Sequence, residues 1–118
     1  MTKILVDKYG LGTFKAFYEG VNTYSENEKL GITNRLTIKY QNGAEVTYKG
    51  SIHITHNATK FNQYCINIGT YKHIGWQGCV WPKLNIEFGT IDGQKVDKIE
   101  YESGQTGEIL SLTFIEED

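Results

Sequence analysis

The chain has 118 residues, of which 39% are apolar and 22% charged, with 13 Gly and 1 Pro; it is long enough for one modest hydrophobic core and too short for two. These proportions exclude a disordered or collagen-like chain. The 12 Lys+Arg against 14 Asp+Glu leave a formal net charge of -2, so bulk charge alone gives no reason to expect a polyanionic partner.

The apolar start Ile4-Leu5-Val6 ends at Asp7, and no later run approaches the roughly 18 apolar residues of a membrane span. The expectation is a cytoplasmic protein without an export signal or membrane partner, with Cys65 and Cys79 as reduced thiols rather than a secreted disulfide framework. Gly10-Leu11-Gly12 reads as a turn, since it lacks the further glycines and Lys of a phosphate loop. No sustained helical repeat is read in the chain, and residues 22–30 are polar enough for a loop or a short helical turn.

From residue 32 the dominant period is two. Ile32, Leu36, Ile38 and Tyr40 fall on one face, and Thr33, Arg35, Thr37 and Lys39 on the other, as a half-buried strand requires. Asn42-Gly43 then marks a hairpin. The return strand starts at Ala44, and its apolar phase at Val46 and Tyr48 continues past Gly50 into Ile52 and Ile54, which predicts one long strand bent or bulged at the glycine. Tyr64, Ile66 and Ile68 make a further alternating set closed by Gly69, and residues 69–78 read as an irregular, Gly-containing surface stretch.

Leu84, Ile86 and Phe88 alternate again, Ile91-Asp92-Gly93 marks a turn, and residues 96–102 form the partner strand, with a phase slip that predicts a bulge near Asp97 and Lys98. Residues 103–107 form a polar loop before a last strand over 109–115, with Leu110, Leu112 and Phe114 in phase. The fold class expected is all-β: one domain over residues 1–118, as a small oligonucleotide-binding-like Greek-key barrel or, alternatively, an antiparallel β-sandwich, with a short acidic C-terminus.

Residues with catalytic or metal-binding potential do not assemble into a motif. His53 and His56 are three apart, which on a strand sends them to opposite faces. Cys65 or Cys79 could be paired with His73 as nucleophile and base, yet nothing local supports it. Glu100 and Glu102 share a strand face, where a solvated surface is the plainer account than a glycosidase pair. Asn57-Ala58-Thr59 matches a glycosylation acceptor that matters only on export. No enzymatic activity, cofactor or metal is expected.

Resolved by position, the near-neutral charge divides. Residues 1–86 carry ten Lys/Arg against five Asp/Glu, and residues 87–118 carry two against nine. Within residues 29–86 seven basic residues face one acidic one, Glu45. Aromatics interleave this basic middle. Tyr40, Tyr48 and Tyr64 are in core phase, whereas Phe61, Tyr71, Trp76 and Trp81 lie in or beside irregular stretches. Cations that track phosphates, with flat rings between them for unpaired bases, are what single-stranded nucleic acid binding uses; stacking contributes roughly 1–3 kcal/mol per base. The candidate binding residues are Arg35, Lys39, Lys49, Lys60, Phe61, Tyr71, Lys72, Trp76, Trp81 and Lys83, and the candidate partner-binding residues are Glu116, Glu117 and Asp118.

A small, Tyr-rich, all-β chain with a basic middle and the acidic end Phe114-Ile115-Glu116-Glu117-Asp118 resembles the small bacteriophage single-stranded DNA-binding proteins of the oligonucleotide-binding fold. The resemblance implies sequence-independent binding of single-stranded DNA in phage replication or recombination, in the cytoplasm of an infected host. It also implies a homodimer and recombination or replication proteins as partners. Two other readings compete. A lectin-like carbohydrate-binding sandwich would use Tyr71, Trp76 and Trp81 with Asn62, Asn67, Gln77 and Asn85, and a small phage interaction protein would use the acidic third.

Overall fold

The computed structural model of the protein describes residues 2–6, 14–27, 33–57, 59–60, 62–72 and 75–116. Its elements in chain order are β1 (Thr2–Val6), α1 (Phe14–Asn27), β2 (Asn34–Tyr40), β3 (Glu45–His56), β4 (Gln63–Lys72), β5 (Gly75–Val80), β6 (Lys83–Asn85), β7 (Thr90–Ile91), β8 (Gln94–Glu102) and β9 (Ile109–Glu116). All the strand pairings are antiparallel. β2 pairs β3, β3 pairs β4, β4 pairs β6, β6 pairs β7, β7 pairs β8 and β8 returns to β2, closing an uneven ring whose short side is β6 and β7. β9 lies along β8 and β1 along β9, while β5 folds back on β4. The expected β-rich architecture is what the pairing produces.

The turns follow their local chemistry. At the β2–β3 hairpin Gly43 takes φ 91°, and the Ala44 amide donates to Asn42 Oδ1 at 2.9 Å. Asp92 and Gly93 have φ 49° and 85°, so both central residues of this two-residue turn are left-handed, as a type I′ hairpin needs. Lys39 lies opposite Lys98 but Tyr40 opposite Val96, which leaves Asp97 as the extra residue of the expected bulge.

Gly50 is the corner of the ring. β3 pairs with β2 as far as Asn34 opposite Gly50, then leaves it and pairs with β4 from Ser51 opposite Gly69. Gly50 has φ 149°, and a Cβ placed there would sit 2.5 Å from the Gly69 carbonyl oxygen. A side chain would meet both a disfavoured backbone conformation and the neighbouring strand's backbone.

Residues 14–27 correct the sequence reading. Phe14, Phe17 and Val21 are buried and Tyr18 is partly buried against the core, a spacing of three, four and seven that defines one helical face. The mid-helix Gly20 and the polar residues 22–27 have low helical propensity and obscured it. The glycine is used: a Cβ there would come 2.7 Å from Leu110 Cδ1, so the helix sits close on β9. Asn22 then completes the corner. Its Nδ2 donates to the Ile54 carbonyl at 2.9 Å and its Oδ1 accepts from the Ile54 amide at 2.8 Å, satisfying the β3 edge that β2 has left.

Two further expectations change. Leu84 is buried, but β6 stops at Asn85 because Asn85 Oδ1 accepts from the amides of Glu87 (2.9 Å) and Phe88 (3.0 Å) and turns the chain, so Phe88 is 57% exposed instead of in the core. The stretch 69–78 is not irregular throughout, since β4 runs on to Lys72 and β5 returns from Gly75. The core itself is built mainly from the residues in alternating phase, including Leu36, Ile38, Ile52, Ile54, Ile66, Ile99, Tyr101 and Leu112. Among the described residues no helix is long and apolar enough to cross a membrane.

The corner makes a measurable demand on glycine. Gly50→Ala is expected to lower the unfolding free energy by about 3 kcal/mol in urea titration, and Gly43→Ala, which has open space around its Cβ, by about 1 kcal/mol. Equal losses would show that the approach to Gly69 relaxes at no cost.

Candidate nucleic-acid interface

Alternation along β2 turns Arg35, Thr37 and Lys39 away from the buried Leu36 and Ile38. The β2–β3 register sets Lys49 opposite Arg35, Thr47 opposite Thr37 and Glu45 opposite Lys39, with the two threonine hydroxyls 3.2 Å apart. On the other side of β2 the β8 register sets Glu102 opposite Arg35 and Glu100 opposite Thr37. The carboxylates close on the cations: Lys39 Nζ lies 3.0 Å from Glu100 Oε1, and Arg35 Nη1 lies 3.7 Å from Glu102 Oε2. The hydrogen bond to Glu100, and then its charge, hold the Lys39 amine above the ordinary lysine value of 10.5.

The basic middle and the acidic third are therefore not separate surfaces. β8 belongs to the acidic third, and pairing with β2 lays its carboxylates beside Arg35 and Lys39. Two clefts share these walls. One of about 180 Å³ is lined by Arg35, Thr37, Lys39, Glu45, Glu100, Glu102 and Ile109. The other, of about 460 Å³, is lined by Thr33, Asn34, Arg35, Lys49, Glu102, Ser103, Gly104 and Gly107.

Lys49, Lys60 and Lys83 are exposed and form no ion pair with another described residue. Lys83 lies on β6 opposite Cys65 of β4, and Trp81, just before it, is 62% exposed. The backbone that carries this ring is pinned: Pro82 is buried, its carbonyl accepts from the Ile66 amide at 2.9 Å, and the Lys83 amide donates to Asp92 Oδ1 at 3.2 Å. Lys60 sits in the β3–β4 connection, where its amide donates to the Asn57 carbonyl at 3.2 Å. On the β4–β5 hairpin the register places Tyr71 opposite Trp76 and Lys72 opposite Gly75. Phe61, Glu117 and Asp118 lie outside the described residues, and Glu116 ends β9 opposite Thr2.

The candidate residues thus fall into two groups, one on β2 and β3 facing β8, the other on β4, β5 and β6. The core-phase tyrosines are packing residues. Tyr64 lies with its ring centroid 4.6 Å from Phe14, 5.5 Å from Tyr18 and 4.7 Å from His56, and burial, followed by the nearby Tyr18, raises its phenol pKa. Burial likewise raises that of Tyr40. Sequence reasoning missed the exposed Phe88, for which the turn-forming Asn85 three residues earlier was the available signal. Among the described residues no group of three or more His, Cys, Asp or Glu side chains is placed to hold a metal ion. Comparison with protein families, curated proteins and solved structures finds no match to this chain.

The Lys39 contact predicts a titration. Its raised pKa means that the stabilisation from the Glu100 contact is fully present below the ordinary lysine value and is lost as pH rises through the higher folded value. In an NMR titration of the lysine side chains, Lys39 is expected to titrate above the ordinary lysine value of 10.5, and Glu100→Gln to bring it back. A Lys39 curve unaffected by Glu100→Gln would show that the contact does not persist in solution.

Proposed function

We propose that the protein binds single-stranded DNA without reading its sequence, along the outer side of β3, β4 and β6. Trp81 serves as a stacking platform, and Lys83 contacts phosphates. The observation that carries this reading is the exposure of Trp81, 62%, on a backbone segment pinned by its neighbours and followed by Lys83, which makes no ion pair with another described residue. A ring held open to solvent beside a cation can stack on any base while the charge engages the backbone. The β4–β5 hairpin, where the register places Tyr71 opposite Trp76 and Lys72 opposite Gly75, supplies further aromatic and basic residues to the same sheet.

Lys39 has a smaller role than its charge suggests, because Glu100 already opposes it at 3.0 Å, and Arg35, 3.7 Å from Glu102, lies on the β2 side away from Trp81. Phage replication or recombination in an infected bacterial cytoplasm, with dimerisation and recruitment through Glu116, Glu117 and Asp118, is the setting that the family resemblance suggests for this activity. The carbohydrate reading is weaker because three of its four amides are engaged within the fold. Asn62 Nδ2 donates to Glu87 at 3.0 Å, Asn67 Nδ2 to Thr55 Oγ1 at 3.2 Å, and Asn85 Oδ1 accepts two backbone amides.

Tryptophan fluorescence tests the proposal directly. Oligo-dT is expected to quench it at low salt, with affinity falling steeply as NaCl rises. Trp81→Ala is expected to weaken binding at least about tenfold with the melting temperature nearly unchanged, since a ring this exposed contributes little to the core. Lys83→Ala should flatten the salt slope by about 0.7, and Lys39→Ala by much less. No quenching at low salt, or salt-insensitive quenching by a sugar in its place, would overturn the DNA reading.

A further inference from the structure

We propose that the cleft between the start of β2, Lys49 of β3 and the β8–β9 loop is a binding site for a phosphomonoester group, held between Arg35 and Lys49. This goes beyond the stacking surface around Trp81, because none of the described residues that line the cleft belongs to β4, β5 or β6.

Arg35 and Lys49 are direct cross-strand partners on one face, the placement in which like charges repel unless an anion lies between or beside them. Among the described residues the only acidic side chain lining the cleft is Glu102, and it approaches Arg35 at 3.7 Å from a single guanidinium nitrogen, too long for a strong hydrogen bond and not the two-pronged contact that Arg favours. Two cations and one poorly seated carboxylate leave a surplus of positive charge facing a cavity of about 460 Å³. That volume lies within the range of small-molecule sites, so it admits a phosphoryl group together with the organic portion it is esterified to.

The wall opposite the cations is built to hold its shape. Asn34 is buried and its Oδ1 accepts from the Gly104 amide at 2.9 Å, pinning the loop to the start of β2. Ser103 Oγ accepts from the amides of Gln105 and Thr106, both at 3.3 Å, and the Ser103 carbonyl from that of Gly107 at 3.0 Å. These amides are turned inward, so recognition falls to the two side chains: the guanidinium fork can take two phosphate oxygens and the ammonium a third. Glu102 competes with the ligand for Arg35 and sets the sign of the test.

Calorimetry at constant ionic strength with inorganic phosphate, and separately with oligo-dT carrying a 5′-phosphate, a 3′-phosphate or neither, examines the site. Saturable one-to-one binding of phosphate is expected, weakened about tenfold or more by Arg35→Gln and by Lys49→Gln, strengthened several-fold by Glu102→Gln, and unchanged by Trp81→Ala. A gain in oligonucleotide affinity from one terminal phosphate, lost in the same two variants, identifies a strand end as the source; phosphate binding without such a gain identifies a free phosphate compound. Absence of saturable phosphate binding, or binding indifferent to Glu102→Gln and Lys49→Gln, would overturn the proposal. Quenching by unphosphorylated oligo-dT can persist in that case, so failure of this site and failure of the DNA reading are told apart.

Discussion

The close approach of Gly50 to Gly69 is the constraint on which the ring depends. A 12-residue strand cannot pair β2 along one half and β4 along the other without changing direction, and the change is made where a Cβ would strike the neighbouring carbonyl. The corner strips one edge of β3 of its partner, and α1 supplies the replacement through the two hydrogen bonds of Asn22 to Ile54. With that edge satisfied, Ile52 and Ile54 face inward with Ile66 and Ile68, and the helix brings Phe14, Phe17 and Val21 onto the same core. Bend, helix and core are one arrangement.

Ring closure also determines the electrostatics. β8 is drawn alongside β2, and its outward residues, Glu100 and Glu102, land beside Lys39 and Arg35. A basic stripe in the sequence becomes a mixed surface in the fold, where exposed pairs of this kind contribute little to stability but alter which charges a ligand can use. Lys49, Lys60 and Lys83 keep theirs. This redistribution sets the exposed Trp81 and Lys83 apart from the Arg35–Lys49 cleft.

Much of the fold was legible in residues whose signals are local. Alternation identified Leu36, Ile38, Ile52, Ile54, Ile66, Leu110 and Leu112 as core; Asp92-Gly93 announced a tight turn because both positions tolerate positive φ; and the phase slip after Val96 located the Asp97 bulge. The helix was not legible, because Gly20 and a polar second half diluted the spacing of Phe14, Phe17, Tyr18 and Val21. Nor was β5, whose glycines at 75 and 78 resemble a loop until β4 is there to pair with it. Phe88 misled for the opposite reason: its phase suited a strand, but the Asn85 side chain captured the amides that a strand would have offered to a neighbour.

The sequence by itself determined the period and the turn chemistry, since each follows from a residue and its immediate neighbours; the exposure of Trp81 emerged only with the fold. Which charges stand together was decided only by the tertiary structure. Arg35 and Glu102 are 67 positions apart, and nothing local in either segment specifies the register that makes them partners. That register comes from burying Leu36 beside Tyr101 and Ile38 beside Ile99, so the pairing of the core chose the pairing of the surface.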